Sequence, residues 1–95
     1  RLALLGRHEA RLKDAVFSPD GRRVASAGDD GAIQLWDVRG RRLIATLATL
    51  GTPVLDLDFS PDGTLLAAGT HDGRVRLYEL RRSLWGLPLG GEEGP

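Results

Sequence analysis

The feature that most narrows what this chain can fold into is an internal repeat with a period of 42 residues. Phe17-Ser18-Pro19-Asp20-Gly21 returns as Phe59-Ser60-Pro61-Asp62-Gly63, and the same offset carries Asp30-Gly31 onto Asp72-Gly73, Leu35 onto Leu77, Trp36 onto Tyr78 and Leu5 onto Leu47. So many matches in one register are not coincidence. A period in this range marks supersecondary units that are stacked because none can bury its apolar face alone.

Within each copy, short apolar runs alternate with strong turn signals, and no helical period is long enough to compete. Leu55, Leu57 and Phe59 alternate with Asp56 and Asp58, the period-two pattern of a strand with one buried face. Ser-Pro-Asp-Gly then supplies turn chemistry: proline fixes φ, aspartate bonds nearby backbone and glycine accepts a positive φ. The runs Arg23 to Ala27 and Thr64 to Ala68 follow, and Asp30-Gly31 and Asp72-Gly73 turn the chain into Ile33 to Trp36 and Val75 to Tyr78. With Leu43 to Leu47 as a fourth run, each unit reads as a four-stranded antiparallel sheet. In the second copy the fourth run falls on residues 84–89, where Gly86 and Pro88 weaken the strand pattern. Residues 90–95 read as a tail or linker.

Composition bounds the rest. The 13 Lys and Arg balance 13 Asp and Glu, and the arginines are spread along the chain, which leaves no concentrated positive field for nucleic acid or an anionic membrane. The longest purely apolar runs are four residues, against roughly 20 for a membrane span, and no targeting segment is recognisable, so a cytoplasmic location is expected. Cysteine is absent, which removes disulfides and thiolate metal sites as sources of stability. Methionine is absent too and the chain opens on Arg1, so it reads as a piece of something larger. Twelve of the 13 basic residues are Arg, a usage that points to a GC-rich, bacterial genome.

The succession Leu-x-Gly-x-His, Phe-Ser-Pro-Asp-Gly, Ala-Ser-Ala-Gly-Asp-Asp-Gly and Leu-Trp-Asp, running from Leu5 to Asp37, resembles the WD40 repeat. Leu47 to Glu79 resembles a second copy that ends in Tyr78-Glu79. The resemblance implies an all-β fold: a partial WD40-type β-propeller of about two four-stranded blades. It implies that residues 1–5 are the outer strand of a preceding blade, 6–47 a first blade and 48–89 a second, degenerate one. A ring takes four to eight blades, about 168 residues at the least, so this chain does not close one alone.

His8, Ser26 and Asp30 are the residue types of a hydrolytic triad. Ser26 lies ten and Asp30 six residues before Trp36, the spacing of the family's structural tetrad, and the strained Gly-x-Ser-x-Gly turn of a nucleophile is missing. His8, Ser26, Asp30 and Trp36 are therefore expected to lock the repeat, and no catalytic residue is assigned. The second copy places Leu50, Ala68, Asp72 and Tyr78 at these positions, so no such network is expected there. That blade should instead rely on Leu55, Leu57, Phe59, Leu66, Val75 and Leu77. Asp29-Asp30 and His71-Asp72 are adjacent residues on a tight turn and do not close a metal coordination sphere; neither metal nor cofactor is expected. Asp56 and Asp58 read as a solvated or channel-lining face.

In the family, partner-contacting positions fall six and four residues before the Phe of the first inner strand and just before the tetrad Asp. Here these are Arg11, Lys13 and Asp29, then Pro53, Leu55 and His71. Alternation groups Leu55 with the buried Leu57 and Phe59, against a binding role for it. The function the resemblance implies is a non-enzymatic scaffold that holds a protein or peptide on its rim. Its remaining blades would be supplied in cis, or in trans by self-association. Rival readings are a regulatory or substrate-recruiting propeller segment of a multidomain enzyme, such as a bacterial signalling kinase or hydrolase, and a self-assembling two-blade unit.

Overall fold

The computed structural model describes residues 3–80, and from Leu12 onward strand and turn alternate. The seven strands are β1 (Leu12–Phe17), β2 (Arg23–Gly28), β3 (Ala32–Asp37), β4 (Arg42–Thr49), β5 (Val54–Phe59), β6 (Leu65–Thr70) and β7 (Val75–Glu79). β1 to β4 pair in chain order as one antiparallel sheet and β5 to β7 as a second. The expected fourth strand of the second sheet, residues 84–89, lies outside the described residues. So do Arg1 and Leu2 of the expected outer strand. Its remainder, Ala3 to Leu5, is not a strand, because an outer strand pairs with the blade before its own and no such ladder partner is present among the described residues.

The two Ser-Pro-Asp-Gly turns are closed by the same bonds. Gly21 N–H donates to the Ser18 carbonyl at 2.9 Å with glycine at φ 73°, while Asp20 Oδ1 accepts the Ser18 hydroxyl at 2.6 Å and Arg22 N–H at 2.9 Å. In the second copy, Asp62 Oδ1 accepts the Ser60 hydroxyl at 2.7 Å and both the N–H and hydroxyl of Thr64 at 3.0 and 2.8 Å. Hydrogen bonds to a carboxylate favour its ionised form. The Ser60 hydroxyl, followed by the Thr64 donors, holds the Asp62 carboxyl down at about 2, and the Ser18 hydroxyl lowers that of Asp20. Since the folded value lies below the unfolded one, the ionised turn supports the fold above the ordinary carboxylate range. That support fades as pH falls from about 4 toward 2. A carbon-detected titration of Asp62 is expected to give a midpoint near 2, returning toward 3.8 in Ser60→Ala; a midpoint of 3.8 in the unmodified chain would refute the closed turn.

The sheets stack face to face, β5 lying against β1 and β2. Ala25, Ala27, Ile33, Leu35 and Leu47 of the first sheet meet Val54, Leu57, Phe59, Leu66, Ala68 and Tyr78 of the second in one buried cluster. A polar bond crosses this interface: Asp14 Oδ2 accepts Leu57 N–H at 2.8 Å.

Two expectations about this packing are corrected. Leu55 is 45% exposed rather than aligned with Leu57 and Phe59. Val54 pairs with Thr70 and Asp56 with Gly69, so Leu55 is the extra residue of a β-bulge, and the alternation restarts after it. Val75 and Leu77 do not pack into the core either; they are 81% and 53% exposed. In β7 the parity that faces the first sheet belongs to Arg76 and Tyr78, and Val75 and Leu77 point to the opposite side.

Candidate functional site

Four side chains from three parts of the first repeat meet over the outer face of its sheet. Ser26 on β2 stands opposite Gln34, and Trp36 on β3 opposite Val24, so hydroxyl and indole share one face. Trp36 Nε1–H donates to Ser26 Oγ at 2.7 Å, and Ser26 Oγ lies 2.7 Å from His8 Nε2. His8 Nδ1 is 3.3 Å from Asp30 Oδ2. With the indole an obligatory donor and the carboxylate an acceptor, one direction satisfies every atom: indole N–H to serine, serine O–H to Nε2, Nδ1–H to aspartate. Asp30 also accepts Ala32 N–H at 3.1 Å, which ties the β2–β3 turn into the same chain of bonds. The histidine arrives on the segment leading to β1, and Gly6 of that segment lies flat on the Trp36 ring, where a Cβ would collide with the indole. Ser26 is 4% exposed. Its oxygen is engaged by the indole, unlike a nucleophile, which needs a free approach.

The second repeat holds a network that the sequence reading did not anticipate. Thr70 hydroxyl donates to Asp72 Oδ1 at 2.6 Å, Arg76 Nη1 donates to Thr70 Oγ1 at 2.6 Å, and Arg76 Nη2 lies 3.6 Å from Asp72 Oδ2. Arg76 pairs across from Ala68, the residue that stands where Ser26 does in the first copy. The small Ala68 leaves room for a guanidinium between the sheets, and the arginine fork reaches both the threonine and the turn aspartate. The Thr70 hydroxyl is the foremost cause of a lowered Asp72 carboxyl. No motif signals this arrangement, because only Asp72 keeps its place in the repeat, Thr70 and Arg76 lie two residues from the positions equivalent to Ser26 and Trp36, and arginine is a residue type normally assigned to the surface.

The rim candidates form two small groups. Asp29 N–H donates to the Arg11 carbonyl at 2.8 Å, and Lys13 Nζ lies 3.9 Å from Asp29 Oδ1, so Arg11, Lys13 and Asp29 adjoin at the β1–β2 end of the first sheet. His71 N–H donates to the Pro53 carbonyl at 2.9 Å, and Leu55 follows two residues after Pro53, in β5. Lys13 is itself a bulge residue, since Leu12 pairs with Gly28 and Asp14 with Ala27. The repeat thus places a bulge at Lys13 and again at Leu55, and in both copies the bulged side chain is exposed. Asp29 and Asp30 turn to different partners, Lys13 and His8.

Comparison with known proteins follows the same lines. The family described as "WD domain, G-beta repeat" matches residues 1–37 and 42–79. WD repeat-containing protein 38 of Mus musculus is 39% identical over 48 residues, half of this chain and 16% of that protein. Ribosome assembly protein 4 of Saccharomyces cerevisiae is 40% identical over 45 residues, 47% of this chain and 9% of that protein. WD repeat-containing protein SL1-17 of Schistosoma mansoni is 49% identical over 37 residues, 39% of this chain and 12% of that protein. The chain therefore spans a small fraction of these relatives. Among solved structures, "Structure of U3-55K" superposes with a TM-score of 0.78 at 24% identity, over 97% of this chain and 30% of that one. The matched relatives are eukaryotic and lend no support to the bacterial source read from arginine usage. Repeat, sheet order and family match agree, and the chain belongs to the WD40 repeat family.

Proposed function

We propose that the chain is a non-enzymatic part of a WD40 interaction scaffold, and that it holds a protein or peptide on the rim formed by Arg11, Lys13 and Asp29 and by Pro53, Leu55 and His71. The observation that carries this reading is the pair of bulges. A bulge frees a side chain from cross-strand pairing and re-aims it. Here the same backbone device presents Lys13 in one copy and Leu55 in the other, each beside the turn that bears Asp29 or His71. A rigid sheet with two unlike side chains on equivalent perches suits recognition of a peptide carrying both an acidic and an apolar group. The name of the yeast relative, a ribosome assembly protein, accords with work inside a larger assembly. The tetrad of His8, Ser26, Asp30 and Trp36 then serves the fold rather than chemistry, and the cytoplasm is the proposed location.

The experiment is selection of ligands from a random peptide library by the unmodified chain, followed by rebinding to the double variant Lys13→Glu, Leu55→Asp. Affinity is expected to fall by about tenfold or more, with no change in the unfolding midpoint. Full retention of the selected peptides by the variant would overturn the assignment of the rim.

A further inference from the structure

The basic residues are scattered along the sequence, yet the fold gathers Arg22, Arg23, Arg39, Arg41 and Arg42 at one end of the first sheet. β2 begins at Arg23, β3 ends at Asp37 and β4 begins at Arg42, and the register sets them side by side, Arg23 opposite Asp37 and Asp37 opposite Arg42. The β1–β2 turn adds Arg22, and the β3–β4 turn adds Arg39 and Arg41. Val38 N–H donates to the Arg22 carbonyl at 3.0 Å, so the two turns are tied together. Between them lies a recess of about 590 Å³ lined by Gly21, Arg22, Arg23, Asp37, Val38 and Arg39. This end is opposite the one that bears Asp29 and Gly31. The patch is built on turns within a single sheet and uses the end of that sheet rather than either of its faces.

The carboxylates nearby are already engaged. Asp20 Oδ1 accepts the Ser18 hydroxyl and Arg22 N–H, and Asp37 Oδ2 accepts Gly40 N–H at 2.9 Å. Arg22, Arg39, Arg41 and Arg42 are exposed, and none of the four forms an ion pair among the described residues. The backbone adds a second observation. Arg41 is the one non-glycine residue with a positive φ among the described residues, at 54°. That conformation favours glycine or asparagine, and a larger residue held there is strained. The turn does contain a glycine, but one residue earlier, where a Cβ at Gly40 would collide with Asp37 Oδ2. An arginine at 41 therefore does nothing for the turn itself, and its use lies in the guanidinium it adds to the patch.

We infer that this end of the first sheet binds a short acidic segment of a partner protein, its Asp or Glu carboxylates held by the guanidinium groups of Arg22, Arg39, Arg41 and Arg42. The arginine fork presents parallel N–H donors that match a carboxylate two to two. Scale decides for a peptide over nucleic acid. The row from Arg23 to Arg42 spans two strand spacings, roughly 10 Å, which faces about two or three anionic groups. Nucleic acid is held by a longer track, commonly about 6 to 10 phosphate contacts. The surface shares no residue with the proposed rim, so either reading stands or falls without the other.

Fluorescence anisotropy tests it, with the full chain titrated into a short labelled peptide of alternating Glu and Ser at low salt. Binding is expected to be at least about tenfold tighter than to the Gln and Ser counterpart, and to weaken as salt is added. The double variant Arg39→Gln, Arg42→Gln is expected to lose about tenfold in affinity. Arg7→Gln, Arg74→Gln removes the same charge elsewhere and is expected to bind like the parent. Arg41→Gly is expected to raise the unfolding midpoint, because glycine accepts the positive φ, while lowering affinity about threefold or more. In the unmodified chain the peptide is expected to shift the amide resonances of Gly21 and Gly40 and to leave those of Gly31 and Gly73 in place. Equal affinity for the Glu and Gln peptides, tighter binding of a single-stranded oligonucleotide of equal charge, an equal loss in the Arg7 and Arg74 variant, or shifts confined to Gly31 and Gly73 would each overturn the proposal.

Discussion

Alanine at position 31 is expected to destabilise the fold by about 3 kcal/mol or more. Gly31 sits at φ 74°, in the left-handed region that costs an L residue about 1 to 2 kcal/mol. Its missing side chain is also where the connection between the sheets lies: an added Cβ would collide with the Leu50 carbonyl oxygen and press on that of Thr52. Leu50 N–H in turn donates to the Gly31 carbonyl at 2.8 Å, so the turn and the connection are locked to each other. Gly21 supplies the control, having φ 73° and nothing within 4 Å of a would-be Cβ. Gly21→Ala should cost only the backbone part, about 1 to 2 kcal/mol. Urea midpoints of the two variants at equal concentration separate strain from collision; equal losses would show that the connection gives way freely.

Ser26→Ala is expected to cost about 2 to 4 kcal/mol, because one oxygen serves two buried partners. Its removal leaves Trp36 Nε1–H without an acceptor and His8 Nε2 without a donor. The cost is that of two unsatisfied groups rather than of one lost bond. A His8→Leu, Ser26→Ala double variant should lose less than the sum of the single losses, since each substitution removes a group that the other would strand. Chemical denaturation read by tryptophan fluorescence and by circular dichroism measures it. Strict additivity of the two losses would refute a connected chain of bonds.

The turns were the most legible part of the fold, since Ser-Pro-Asp-Gly and Asp-Gly carry local chemistry that tertiary packing does not override. The bonds of Asp20, Asp62, Gly31 and Gly73 follow from residue type alone. Strand faces were half legible. Alternation tells which residues share a side but not which side is covered, so Val75 and Leu77 looked like core although Tyr78 and Arg76 hold that place. A bulge breaks alternation with no signature of its own, which is why Leu55 was grouped with the wrong neighbours. The Thr70, Asp72 and Arg76 network was hidden for a different reason. Polar groups become partners through the space a small residue leaves, here Ala68, and spacing along one strand does not encode that.

The bulges at Lys13 and Leu55 have a consequence for diversification. An exposed residue without a cross-strand mate contributes little to the ladder or to the core, so its identity is close to thermodynamically silent and the two perches can be exchanged or randomised together. On the proposed rim function, swapping lysine and leucine between them should invert the order in which a charged and an apolar group are presented to a peptide, while the turns and the interior stay as they are. The repeat thus works as a register of interchangeable slots, with variation admitted at the exposed bulge on the first strand of each copy.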